Sequence, residues 1–103
     1  MELEREIEKY MGRELKAIGC LWYKWVSPGA RGVPDRILIT PDGKVRFVEL
    51  KTSAGQVDPL QVRQIELLRS HGLLVYVIRG MAEAQGFIQA LEQKFGRRKR
   101  GKG

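Results

Sequence analysis

The 103-residue sequence holds a single cysteine, Cys20, and a single histidine, His71. One thiol excludes a disulfide within the chain and a cysteine-rich metal site, and its place just after a helical pattern gives Cys20 a packing role. His71 follows the end of a second helical pattern, where a surface imidazole favours the helix dipole, and it is assigned no catalytic role. No apolar run approaches the ~20 residues that span a bilayer, and the N-terminus lacks a signal-peptide pattern. The chain is therefore expected to act in the cytosol, away from membranes. No internal repeat and no second domain are visible, and a chain this short supports one modest core.

What is plentiful is positive charge. The formal net charge is +7, yet Arg97 to Gly103 hold five cationic side chains, leaving +2 on everything before them. The expected organisation is a nearly neutral folded domain, residues 1–96, followed by a basic disordered tail, residues 97–103. Such a tail either gains affinity for a polyanion by releasing counterions or merely solubilises the chain.

The stretch from Val33 to Lys51 organises the rest. Two strand-like runs, Arg36 to Thr40 and Val45 to Lys51, flank Pro41-Asp42-Gly43, which predicts a hairpin with a three-residue loop and glycine in its left-handed position. Thr40 then faces Lys44. Carrying that register along the ladder sets Asp35 opposite Glu49, with Lys51 on the same face, and directly paired side chains lie roughly 4.5–5.5 Å apart at Cβ. Ile37 opposite Phe47 and Ile39 opposite Val45 extend the face as an apolar wall, expected to be buried.

Two carboxylates held that close repel unless a proton or a cation sits between them. Hard divalent cations prefer carboxylate and carbonyl oxygen. An ammonium beside the metal orients or helps deprotonate an attacking water and offsets charge on a phosphate. The combination suits phosphodiester hydrolysis. A Pro-Asp turn or a Glu-x-Lys strand is commonplace alone, and it is their joint register that carries the metal-site reading.

Around this hairpin, Leu3, Ile7, Tyr10, Met11, Leu15 and Ile18 predict an amphipathic helix over residues 2–18, stopped at Gly19. Glu6 sits at the edge of its apolar stripe and Glu14 nearer the middle, and helical phase leaves both open as an acid near the site. Leu21 to Val26 alternates as a strand with aromatics on both faces, so neither face is expected to be fully exposed; core or subunit packing competes with stacking on unpaired bases. Ser27 to Gly32 is turn chemistry that delivers the chain to Asp35. Arg31, with Lys24 and Ser27, could meet a phosphate backbone there, although a plain connection needs the same residues.

Asp58-Pro59-Leu60-Gln61 is a strong helix start, with Asp58 as N-cap, Pro59 at the first position and Gln61 as the reciprocal cap. That helix should run to about Ser70 and stop at Gly72. Leu73 to Ile78 reads as a strand buried on both faces, and Ala82 to Phe95 as a last amphipathic helix. The order is αβββαβα, an α/β fold with a mixed sheet flanked by helices.

Pro34-Asp35 followed by Glu49-Leu50-Lys51 resembles the P-D…(D/E)-x-K signature of the restriction-endonuclease-like nucleases. Within that superfamily, Gly32-Val33-Pro34-Asp35, Phe47-Val48-Glu49-Leu50-Lys51 and the later Leu60-Gln61 are similar to the VRR-NUC (virus-type replication-repair nuclease) family, most of all its short stand-alone phage and prophage members. The likeness runs from about Glu6 to about Val77. It implies the superfamily's αβββαβα core and a DNA endonuclease dependent on Mg²⁺ or Mn²⁺. By that likeness Asp35, Glu49 and the main-chain carbonyl of Leu50 ligate the metal, with Glu6 beside it directly or through water. Lys51 activates the water and Gln61 lies next to the lysine. The resemblance also implies a symmetric homodimer acting on branched DNA such as a four-way (Holliday) junction. Its rivals are a noncatalytic nucleic-acid-binding module and a sequence-specific restriction-type nuclease; too little chain lies outside the core for an elaborate base-reading domain.

Overall fold

Ile7, Met11, Leu15 and Ile18 recur at three- and four-residue steps and are the residues that the first helix buries, which is why this stretch forms a helix with one face in the core. The computed structural model describes residues 2–98. Their elements run α1 (Glu4–Ile18), β1 (Leu21–Lys24), β2 (Arg36–Ile39), β3 (Val45–Lys51), α2 (Pro59–Ser70), β4 (Leu74–Arg79) and α3 (Gly80–Phe95). This is the expected αβββαβα order. The sheet order is β1-β2-β3-β4, antiparallel up to β3 and parallel between β3 and β4, so α2 forms the crossover that a parallel pair requires.

α1 and α3 pack together on one face of the sheet. The core lies between them and the side chains of Leu38, Val48, Leu50 and Ile78, with Cys20 buried at its end. Gly19 ends α1 in a left-handed turn, as expected. His71 caps α2, its Nδ1 donating to the Leu67 carbonyl at 2.9 Å. No helix among the described residues is long and apolar enough to cross a membrane.

Three expectations are corrected. β1 is shorter than Leu21 to Val26: the Trp25 N–H still donates to the Asp35 carbonyl at 2.8 Å, but Val26 leaves the ladder and is exposed. β4 is covered on both faces only in its middle: Val75 on the α2 face and Ile78 on the face of α1 and α3 are buried, whereas Leu73 and Leu74 at its start are exposed. The apolar wall of the hairpin is present in the expected register but open to solvent. Ile37, Ile39 and Phe47 are half-buried and Val45 is 44% exposed. The cause is coverage: on this face α2 packs against β4 and reaches β3 at Glu49, leaving Ile37, Ile39 and Val45 with no helix over them.

Of the basic segment 97–103, residues 99–103 lie outside the described residues. Arg97 bonds Glu14 and Glu92, and the Arg98 N–H donates to the Ala17 carbonyl at 2.7 Å.

Candidate active site

The hairpin reversal closes as its residues require. The Gly43 N–H donates to the Thr40 carbonyl at 2.8 Å, the Thr40 N–H to the Lys44 carbonyl at 3.1 Å, and Gly43 takes φ +82°, a conformation open mainly to glycine. The resulting ladder pairs Arg36 with Val48 and Ile37 with Phe47. One step further, Asp35 meets Glu49, and the Asp35 main-chain N–H donates to Glu49 Oε1 at 3.2 Å.

Glu49 is the hub. It is 1% exposed. Its Oε2 accepts from Gln61 Nε2 at 2.7 Å and lies 3.3 Å from Lys51 Nζ. Burial pushes its carboxyl above the ordinary range, the Asp35 charge adds to the rise, and Lys51 pulls against both. A carboxylate raised by burial and by a like-charged neighbour is a group short of positive charge. Two carboxylates with free lone pairs fit a hard divalent cation, which keeps several waters of its own. Among the described residues no third acid, histidine or cysteine joins them, so water and main-chain oxygen would have to complete the shell.

Gln61 resolves its two readings by fulfilling both. Its Oε1 accepts the Asp58 N–H at 3.2 Å, its own N–H donates to Asp58 Oδ1 at 3.0 Å, and its Nε2 reaches Glu49. The capping box and the site share one amide. The loop before Asp35 is pressed onto the same turn: a Cβ on Gly32, at φ +84°, would lie 2.6 Å from Leu60 main-chain atoms and 2.9 Å from the Gln61 nitrogen.

Neither acid of α1 singled out by sequence reaches the pair. Ile7 and Met11 take the buried side of the helix, so Glu6 is turned outward; it is exposed and lines a groove with Lys9, Tyr10, Arg13, Met81 and Gln85. Glu14 is held by Arg97 and Arg13, and the Arg97 hydrogen bond holds its carboxyl below the usual range. The α1 acid that does reach the sheet is Glu8, ion-paired on the face opposite Asp35 to Arg36, whose guanidinium lies 5.5 Å from the Trp22 ring. Glu2, also unforeseen, accepts the Ser53 N–H at 2.7 Å and the Met81 N–H at 2.8 Å, tying the chain's start to the loop that follows Lys51.

Of the nucleic-acid candidates, Arg31 is exposed on the loop leading to Asp35, and the half-buried Ser27 accepts the Ala30 N–H at 3.3 Å. Lys24 pairs with Arg36 in register and so falls on the opposite face from Asp35. A cation that sequence did not flag is Arg79. The parallel register sets it directly across from Lys51, on the face that carries Glu49.

The VRR-NUC domain family matches residues 7–82. The chain belongs to the VRR-NUC family. A protein of Acyrthosiphon pisum secondary endosymbiont phage 1, named "Putative nuclease p44", is 45% identical over 80 residues, 76% of this chain and 86% of that protein. A solved VRR_NUC domain superposes with a TM-score of 0.78 at 32% identity, covering 84% of this chain and 94% of the other. A second solved protein, a VRR_NUC domain protein, shares the fold at TM-score 0.66 and 18% identity, over 90% and 91% of the two chains. Family and relative together support a VRR-NUC nuclease.

Proposed function

We propose that this VRR-NUC chain is a metal-dependent DNA endonuclease. The observation that carries the reading is the Asp35–Glu49 junction with Lys51 Nζ 3.3 Å from Glu49, two acids and an amine on one face with no structural gain to explain the acids' proximity. Asp35, Glu49 and the main-chain carbonyl of Leu50 would hold Mg²⁺ or Mn²⁺. When bound, the ion supplies charge for the phosphate and the leaving oxygen and lowers the pKa of a water. Lys51 orients that water for in-line attack. Gln61 fixes the rotamer of Glu49 by its 2.7 Å bond, and Arg31 meets the approaching backbone. Glu6, turned into the α1–α3 groove, is left outside this set.

The same reading makes the protein a homodimer acting in the cytosol on branched DNA such as a four-way junction. The bare face of β1 to β3 supports the dimer: Leu21, Tyr23 and Val45 are 48%, 52% and 44% exposed there, beside Ile37, Ile39 and Phe47. Residues 99–103 are charged or glycine and are chemically unsuited to cover it, whereas a second copy is self-complementary to an uncharged apolar patch. Two sites related by a two-fold axis suit paired cuts.

The test is incubation of the purified protein with Mg²⁺ or Mn²⁺ and labelled duplex, flap, splayed-arm and four-way substrates. Cleavage should require the ion and be lost in Asp35→Ala and Lys51→Ala with DNA binding largely kept. If no substrate is cut by a folded protein, and Asp35→Ala merely binds DNA more tightly, the chain is a binding module.

A further inference from the structure

We propose that the cleft between α2 and β4 is a phosphate subsite, in which Arg79 holds a backbone phosphate of the DNA strand next to the bond that is cut. The proposal rests on the nuclease reading and deepens it. Arg79 stands opposite Lys51 across the β3–β4 pair, where neighbouring strands lie about 4.8 Å apart. Two cations rooted at paired positions repel, as the two acids one step back do, and an anion bound near them relieves it. Lys51 is partly neutralised by Glu49. Arg79 is exposed and makes no ion pair among the described residues.

The cleft beside it has a volume of about 380 Å³ and is walled by Val57, Val62, Ile65 and Val77, with Arg69 and Glu66 on the α2 side. Arg69 is pinned by Nη2, which donates to the Val75 carbonyl at 2.6 Å, leaving other N–H groups of its fork free to donate. Glu66 is exposed and pairs with neither arginine among the described residues. The root of Arg79 is held as well, since its main-chain N–H donates to Glu83 Oε1 at 2.7 Å. A guanidinium fork on a fixed base over apolar walls is suited to bidentate phosphate recognition. The subsite lies on the face that carries Glu49, at the end of the sheet where a strand crossing Asp35 and Lys51 would continue.

The test is a charge series at Arg79 in the Asp35→Ala background, with binding of a labelled four-way or splayed-arm oligonucleotide measured by fluorescence anisotropy over a range of salt. Arg79→Ala should weaken binding several-fold and flatten the slope of log K against log salt by roughly one, Arg79→Glu by roughly two, while Arg79→Lys should keep the slope. Lys94→Ala, at the other end of α3, should leave it unchanged. In the cleaving protein, Arg79→Ala should raise KM with kcat changed less than about threefold. An unchanged slope and KM in Arg79→Ala, with the parent protein still cutting, overturns the subsite and leaves the nuclease standing. A parent that cuts nothing removes the nuclease reading itself, and the subsite with it.

Discussion

Gln61 Nε2 donates to Glu49 Oε2 at 2.7 Å while the other end of the same amide accepts the Asp58 N–H, so one side chain both starts α2 and aims the buried acid. Replacements separate the two duties. Gln61→Ala loses both, lowering stability by about 0.5–1 kcal/mol and Tm by a few degrees, with a large fall in cleavage rate. Gln61→Glu preserves the capping box, which accepts glutamate at this position, but sets a third carboxylate against Glu49. Its Tm should stay within a few degrees of the parent, its cleavage rate should fall by about tenfold or more, and its rising pH limb should move upward. Thermal melts and initial rates on one substrate measure both.

Asp35 carries the cost of the site. Its charge adds to the rise that burial gives the Glu49 carboxyl, so Asp35→Asn should melt at a higher temperature than the parent in metal-free buffer while losing metal-dependent cleavage, the trade expected of a site that stores repulsion. Mn²⁺ should reverse the order. An ion at a hundred times its Kd stabilises a folded protein by about 2.7 kcal/mol, and that gain belongs to the parent alone. Equal Mn²⁺-induced shifts in the two proteins would place the cation elsewhere.

The Glu49 shift also sets a pH dependence. Its folded pKa lies above the unfolded value, so the folded state binds the proton more tightly, and the associated stability is complete below the ordinary carboxylate range and lost as pH rises through the raised value. Urea unfolding of the metal-free protein should therefore show stability from this group declining across that window. Glu49→Gln should abolish the decline and match or exceed the parent near neutral pH. A divalent ion competes with the same proton, so cation uptake by calorimetry should weaken as the pH is lowered into the raised range.

Gly32 and Gly43 share a positive φ but differ in surroundings. A methyl group at Gly32 meets main-chain atoms of Leu60 and Gln61, which cannot swing aside; at Gly43 it meets nothing within 4 Å. Gly43→Ala should cost about 1 kcal/mol for the left-handed backbone alone. Gly32→Ala should cost on the order of 2–3 kcal/mol and reduce cleavage further, because it pushes the Asp35 loop off the turn that carries Gln61. Chemical denaturation of both, with rates on the same substrate, separates strain from displacement.

The Asp35–Glu49 register could be read in the sequence because a tight reversal at Pro41-Asp42-Gly43 is local and propagates by counting. The Asp58–Gln61 cap could be read for the same reason. The places of the α1 acids could not, since helical phase names a face but the docking of α1 on the sheet decides that Glu8 meets Arg36 while Glu6 points into a groove. Arg79 was hidden because parallel registers depend on where a crossover helix docks, a long-range outcome. Alternation identified the sides of β1 to β3, but nothing in it says that α2 covers β4 and only the Glu49 end of β3.

That bare face yields the last prediction. Tyr23 is half-exposed, so Tyr23→Glu removes little from the folded chain and its Tm should change by no more than a few degrees. Placed at the centre of an apolar contact between two copies, the same carboxylate would be desolvated without a partner, a penalty of several kcal/mol. Sedimentation should show the parent at the mass of two chains and Tyr23→Glu at that of one, and on a four-way substrate the two cuts should become independent nicks. A parent that sediments as a single chain at micromolar concentration removes the dimer and leaves the Asp35–Glu49–Lys51 chemistry intact, because that constellation is assembled within one chain.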